Sequence, residues 1–65
     1  MNGLVKFYDE PTGWGLIAGD DGALYMLRGG QLADAAPRVG ERVAFEPQKG
    51  GGGLRAAAVR RLSDG

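Results

Sequence analysis

The apolar residues of this chain come in blocks of three to five, alternating at period two or running unbroken between clusters of Gly, Pro and Asp. Nowhere do they hold a 3.6-residue period over three turns, which excludes an amphipathic helix as the main building unit and leaves short strands. Thirteen of the 65 residues are glycine, scattered at turn positions and not gathered in a repeat, so collagen-like and disordered readings do not fit.

Leu4 to Tyr8 is the first candidate strand, stopped by Asp9-Glu10-Pro11-Thr12-Gly13, an acidic start and a late glycine with the chemistry of a turn. Trp14 to Ala18 follows, and Asp20-Asp21-Gly22 makes a short connection to Leu24 to Leu27, completing a three-stranded meander. Gly29 to Gly40 is a longer link in which Gln31 to Ala36 can form at most a helical turn or two. Arg42 to Glu46 and Leu54 to Leu62 are the fourth and fifth strands. Pro47-Gln48-Lys49 and the run Gly50 to Gly53 between them read as a mobile hairpin loop. Ala56 to Ala58 favour helix by propensity, but Val59 and the preceding glycines support a strand. Five short strands cannot make two well-filled sheets. Curling one sheet into a barrel removes its edges and gives every strand an inner face, so the expected architecture is all-β: one domain over residues 1–65, a five-stranded antiparallel Greek-key barrel of the OB type.

The composition narrows the chemistry. With no cysteine and no histidine, the chain has no thiol nucleophile, disulfide, imidazole base or common zinc ligand. Eight Lys or Arg against eight Asp or Glu give zero formal charge, so any attraction to a polyanion is local and not sequence-wide. No apolar run approaches the ~20 residues that span a bilayer, and the N-terminus lacks the basic-then-apolar pattern of a secretory signal. A soluble, cytoplasmic protein without membrane contact is the expectation.

Five segments, in order and nearly end to end, resemble bacterial cold-shock domains. Gly3-Leu4-Val5-Lys6-Phe7-Tyr8-Asp9 is similar to the family's opening G-x-V-K-W-F-N, with Phe7 at the tryptophan position. Thr12-Gly13-Trp14-Gly15-Leu16-Ile17 resembles the RNP1 motif K-G-F-G-F-I, and Leu24-Tyr25-Met26-Leu27 sits where the RNP2 motif V-F-V-H falls. Val39-Gly40-Glu41-Arg42-Val43-Ala44-Phe45-Glu46 is similar to E-G-Q-x-V-x-F-E, and Ala56-Ala57-Ala58-Val59 to A-A-N-V. The resemblance implies an RNA-chaperone-like protein that binds single-stranded RNA or DNA on an aromatic face.

Alternation puts Trp14, Leu16 and Ala18 on one face of the second strand and Gly15, Ile17 and Gly19 on the other. On the third strand, Leu24 and Met26 are expected to point inward with Ile17, leaving Tyr25 and Leu27 outward beside Trp14 and Leu16. Phe7 joins that surface only if the first strand is bulged or strongly twisted, which the resemblance implies and simple alternation does not show. The expected stacking platform is therefore Phe7, Trp14 and Tyr25, flanked by Leu16 and Leu27. Lys6, by its place in the family motif, contacts the phosphate backbone, with Arg28 and Arg55 beside it by location. Stacking on flat rings contributes ~1–3 kcal/mol per base and is sequence-tolerant. Tyr8 reads either as a rim residue or as packing at the barrel end. Phe45 belongs to the core, with Val5, Ile17, Leu24, Met26, Val43 and Val59.

The departures from the family pattern lower the expected affinity. Leu16 replaces the second RNP1 aromatic, Leu27 the RNP2 histidine, Arg28 the aromatic after it and Thr12 the lysine before the RNP1 glycine, and the Gly29 to Gly40 link carries no aromatic. Weak, roughly micromolar, salt-dependent binding follows from so small a platform. Arg28 offers partial compensation, because a guanidinium stacks on a base and pairs with phosphate. The same replacements open an alternative, a protein-interaction or homodimerisation module using an apolar Trp14/Leu16/Tyr25/Leu27 face.

Other signals carry less. Gly13-Trp14-Gly15-Leu16-Ile17-Ala18 fits G-x-G-x-x-A, but a dinucleotide site needs a helix opening after the glycines, and here a strand continues. Gly50 to Gly53 is not followed by Lys-Ser or Lys-Thr and is no P-loop. Asp9-Glu10 and Asp20-Asp21 fall in turns, where carboxylates serve local hydrogen bonding. Arg60 and Arg61 read as solvated ends of the last strand. No enzyme, cofactor, metal or small-molecule substrate is expected.

Overall fold

A computed structural model describes residues 1–33, 36–50 and 52–62. All five expected strands are present: β1 Asn2–Asp9, β2 Trp14–Gly19, β3 Leu24–Arg28, β4 Arg42–Gly50 and β5 Gly53–Arg61, with a short 3₁₀ turn at Gly29–Gln31. They close a barrel in the order β1-β2-β3-β5-β4, the expected OB-like architecture. Four neighbouring pairs are antiparallel. The fifth, β3 with β5, is parallel through Met26↔Arg55 and Leu27↔Ala56, so the barrel is mixed. No helix among the described residues is long and apolar enough to cross a membrane.

The acidic clusters make the turns expected of them. Thr12 Oγ1 donates to Asp9 Oδ2 at 2.6 Å, and Gly13, in the left-handed region at φ 70°, donates its N–H to Asp9 O at 2.8 Å. At the β2–β3 turn, Asp21 Oδ1 accepts the Ala23 N–H at 3.0 Å. The core is built from Val5, Ile17, Tyr25, Leu27, Val43, Phe45, Ala56 and Val59. The Tyr25 and Phe45 rings meet in its middle with centroids 4.9 Å apart.

Two expectations need correction. On β3, Tyr25 and Leu27 are the buried residues, while Leu24 is 57% exposed and Met26 half-buried. The cause is register: Ile17 stands opposite Tyr25, and directly opposed residues share a face. Second, β4 and β5 run on through Pro47, Gln48 and Lys49 to the pair Gly50↔Gly53, so most of the expected loop is strand. Pro47 is tolerated because β1 pairs with β4 only at Arg42, Val43 and Ala44, leaving one side of β4 without a partner strand beyond them. Gly51 lies outside the described residues, as do 34 and 35 within the expected helical turn of the Gly29 to Gly40 link, whose only described helical piece is Gly29–Gln31.

A bulge beyond those expected from the sequence lies in β5. Ala44 faces Arg60 and Glu46 faces Ala57, so Ala58 and Val59 together oppose Phe45. Ala58 takes the strain of this bulge at φ 51°, the one described non-glycine residue with positive φ. The bulge turns its N–H toward Gln31, whose Oε1 accepts it at 3.3 Å.

Candidate nucleic-acid interface

The outer face of β1, β2 and β3 is ordered by pairing into rows. Phe7 opposes Leu16 and Leu16 opposes Met26; Asp9 opposes Trp14 and Trp14 opposes Arg28; Leu4 opposes Ala18 and Ala18 opposes Leu24. The first row continues across the parallel contact to Arg55 on β5 and Gln48 on β4.

Phe7 reaches this face through the expected bulge. The β1–β2 register shifts between Val5, which pairs with Ile17, and Phe7, which pairs with Leu16, leaving Lys6 as the extra residue. Val5 is thus fully buried while Lys6 and Phe7 are both exposed. Gly15 makes the bulge possible, because a side chain there would run into the Phe7 carbonyl and the Tyr8 backbone at 3.2 Å.

Phe7 and Trp14 form the aromatic centre, their rings edge to face with centroids 5.6 Å apart and 42% and 36% of their surface exposed. Each ring braces the other and keeps part of its surface exposed. Leu16 and Met26 are half-buried beside them. The row that holds Trp14 is clamped at its end: the Gly29 N–H donates to the Gly13 carbonyl at 2.6 Å, tying together the residues next to Trp14 and Arg28.

The cations divide into two groups. Arg42 pairs with Asp20 at 2.9 Å and Arg61 with Glu41 at 2.6 Å. The Arg38 N–H, followed by the Arg61 side chain, holds the Glu41 carboxyl below its ordinary range. Among the described residues Lys6, Arg28, Arg38, Lys49, Arg55 and Arg60 form no side-chain ion pair with a carboxylate, and of these Lys6, Arg28 and Arg55 are the three expected at the interface. All three are exposed on or beside the apolar rows.

Of the residues expected at the interface, Lys6, Phe7, Trp14, Leu16, Arg28 and Arg55 are brought together on one side of the barrel. Tyr25 and Leu27 are not. The Tyr25 ring lies in the core, and its hydroxyl donates to Asp21 Oδ2 at 2.6 Å. Met26, expected inside, takes the outward place between Leu16 and Arg55. The signal that could have placed Tyr25 is Asp21 four residues earlier, since a buried phenol needs an acceptor in reach. Tyr8 packs against the core and is not part of the open aromatic surface. No family model matches the chain, and no curated protein does either.

Proposed function

We propose that this barrel binds single-stranded RNA or DNA, with bases stacked on Phe7 and Trp14 and the phosphate backbone met by Lys6, Arg28 and Arg55. The observation that carries the reading is the pair of exposed, mutually braced rings next to guanidinium groups without a carboxylate partner. A polyanion with flat bases uses both, the rings for stacking and the cations for phosphate. The resemblance to cold-shock domains supports it in a corrected register. Moving the V-F-V-H correspondence one residue on, to Tyr25-Met26-Leu27-Arg28, puts Met26 and Arg28 at the motif's outward positions. With two rings in place of the three expected, binding is weak, sequence-tolerant and salt-dependent, and it acts on RNA structure only by preferring unpaired bases.

The interface alternative loses Tyr25 and Leu27 from its patch. Half-buried Met26 takes their outward place beside Leu16, and exposed Leu24 stands at the far end of β3. Titrating Trp14 fluorescence with a short oligopyrimidine, with light scattering for mass, separates the readings. Quenching at low salt by a monomer supports nucleic-acid binding; an oligomer indifferent to the oligonucleotide refutes it.

A further inference from the structure

Where the Phe7–Leu16–Met26 row meets β5, the surface falls into a cleft of about 130 Å³. Met26 and Arg28 line it from β3, Gln31 from the 3₁₀ turn, Gln48 from β4 and Arg55 from β5. The volume is well below the ~300–1,000 Å³ of pockets that enclose drug-sized ligands, so only a small group enters.

Its chemistry is one-sided. The described lining contains two guanidinium groups and two side-chain amides, but no carboxylate. Neither arginine has an ion-pair partner among the described residues. Gln31 spends its carbonyl oxygen on the Ala58 N–H, which leaves the amide nitrogen as its donor. Arg55 lies against Gly50 on the β4–β5 hairpin, where any side chain would collide with its guanidinium. Both guanidinium groups thus stand on strands, and no carboxylate among the described residues pairs with either.

We infer that this cleft, formed by Arg28 and Arg55 with Gln31 and Gln48, binds a terminal phosphomonoester of the nucleic-acid strand whose bases stack on Phe7 and Trp14. Two arginines without a carboxylate match a dianion, and a phosphomonoester carries about −1.5 to −2 at pH 7 where an internal phosphodiester carries one charge. The walls agree. The 3₁₀ turn and the β4–β5 hairpin flank the cleft, while Met26 belongs to both cleft and stacking row, so a strand crossing the rings ends there.

The inference rests on the stacking reading, and its test keeps the two apart. Trp14 fluorescence is titrated with one oligopyrimidine in three forms: hydroxyl-ended, 5′-phosphorylated and 3′-phosphorylated. One phosphorylated form is expected to bind about tenfold tighter than the hydroxyl form at pH 7.5, the preference shrinking toward pH 5 as the monoester loses its second charge. Arg28→Gln and Arg55→Gln should each abolish the preference. Equal quenching by all three forms, or an equal loss for all three in both variants, overturns the terminal site and leaves stacking standing. If no form quenches Trp14, inorganic phosphate followed by the NMR shifts of the Arg28 and Arg55 Nε–H groups decides the cleft alone. Saturable shifts lost in Arg28→Gln support the anion site, and their absence refutes it.

Discussion

The Tyr25 hydroxyl donates a 2.6 Å hydrogen bond to Asp21 Oδ2, so a phenol whose ring lies in the core is tied to the carboxylate of the β2–β3 turn. This bond, with the Ala23 N–H behind it, lowers the Asp21 pKa from its ordinary value, and the same bond raises that of Tyr25. The contribution of Asp21 is complete above the pKa of the unfolded carboxyl and is lost as pH falls through the lowered folded value. That of Tyr25 is complete below the ordinary phenol value and is lost as pH rises through the raised one. Asp21→Asn is expected to lower the thermal midpoint at pH 7 and to make the acid limb of the stability curve shallower. An acid limb identical to the parent's would show that the bond does not form.

Burial and exposure on adjacent strands separate folding from binding. Leu27 is fully buried, and Leu27→Ala is expected to cost about 2–5 kcal/mol, a large share of what so small a domain has. Trp14→Ala should leave a folded barrel but weaken oligonucleotide binding about tenfold, ~1.4 kcal/mol. Denaturant titration and fluorescence anisotropy with a labelled oligonucleotide read the two effects, and loss of folding in Trp14→Ala would remove Trp14 from the platform.

Met26 fills a stacking position with a flexible thioether. Met26→Phe places a third flat ring in the row with Phe7 and Leu16, and a stacked base contributes ~1–3 kcal/mol, so affinity should rise about tenfold. Unchanged or weaker binding would mean that the strand does not cross β3.

Gly15→Ala sets a new methyl against the Phe7 carbonyl and the Tyr8 backbone, neither of which can swing away as a side-chain tip would. Overpacking of this kind costs about 1–3 kcal/mol. The variant should lose stability and displace Phe7 from Trp14, which Trp14 emission and NOEs between the two rings would record.

Ala58 holds a left-handed backbone that asparagine tolerates better. Ala58→Asn is expected to raise stability by about 0.5–1 kcal/mol, since the hydrogen bond to Gln31 uses only the backbone N–H of residue 58. A lower denaturation midpoint would place the strain elsewhere.

The sequence discloses strand positions more readily than strand phase. Along β2, period-two alternation sets Gly15, Ile17 and Gly19 on one face and Trp14, Leu16 and Ala18 on the other, and the buried set is the first, as expected. In β3 the residues Leu24, Tyr25, Met26 and Leu27 are all apolar, and periodicity cannot say which pair faces inward. That choice is made by the β2–β3 turn and its Asp21–Tyr25 bond. Pro47 and the glycines hid the long β4–β5 hairpin because local turn signals were overridden by pairing across the barrel. The β1 bulge was legible through the family resemblance, and Lys6, Arg28 and Arg55 through motif position and location, while the row Met26–Arg55–Gln48 that joins β3 to the β4–β5 hairpin needed the closed sheet. The β5 bulge has no clear mark in three alanines.

The 2.6 Å clamp between Gly13 and Gly29 has a kinetic meaning. Because the indole and the neighbouring guanidinium stand on backbone already locked in place, an arriving strand meets a finished surface and waits for no rearrangement. Stopped-flow traces should therefore be single exponentials whose rate climbs in proportion to ligand concentration, with no plateau to mark a gating step.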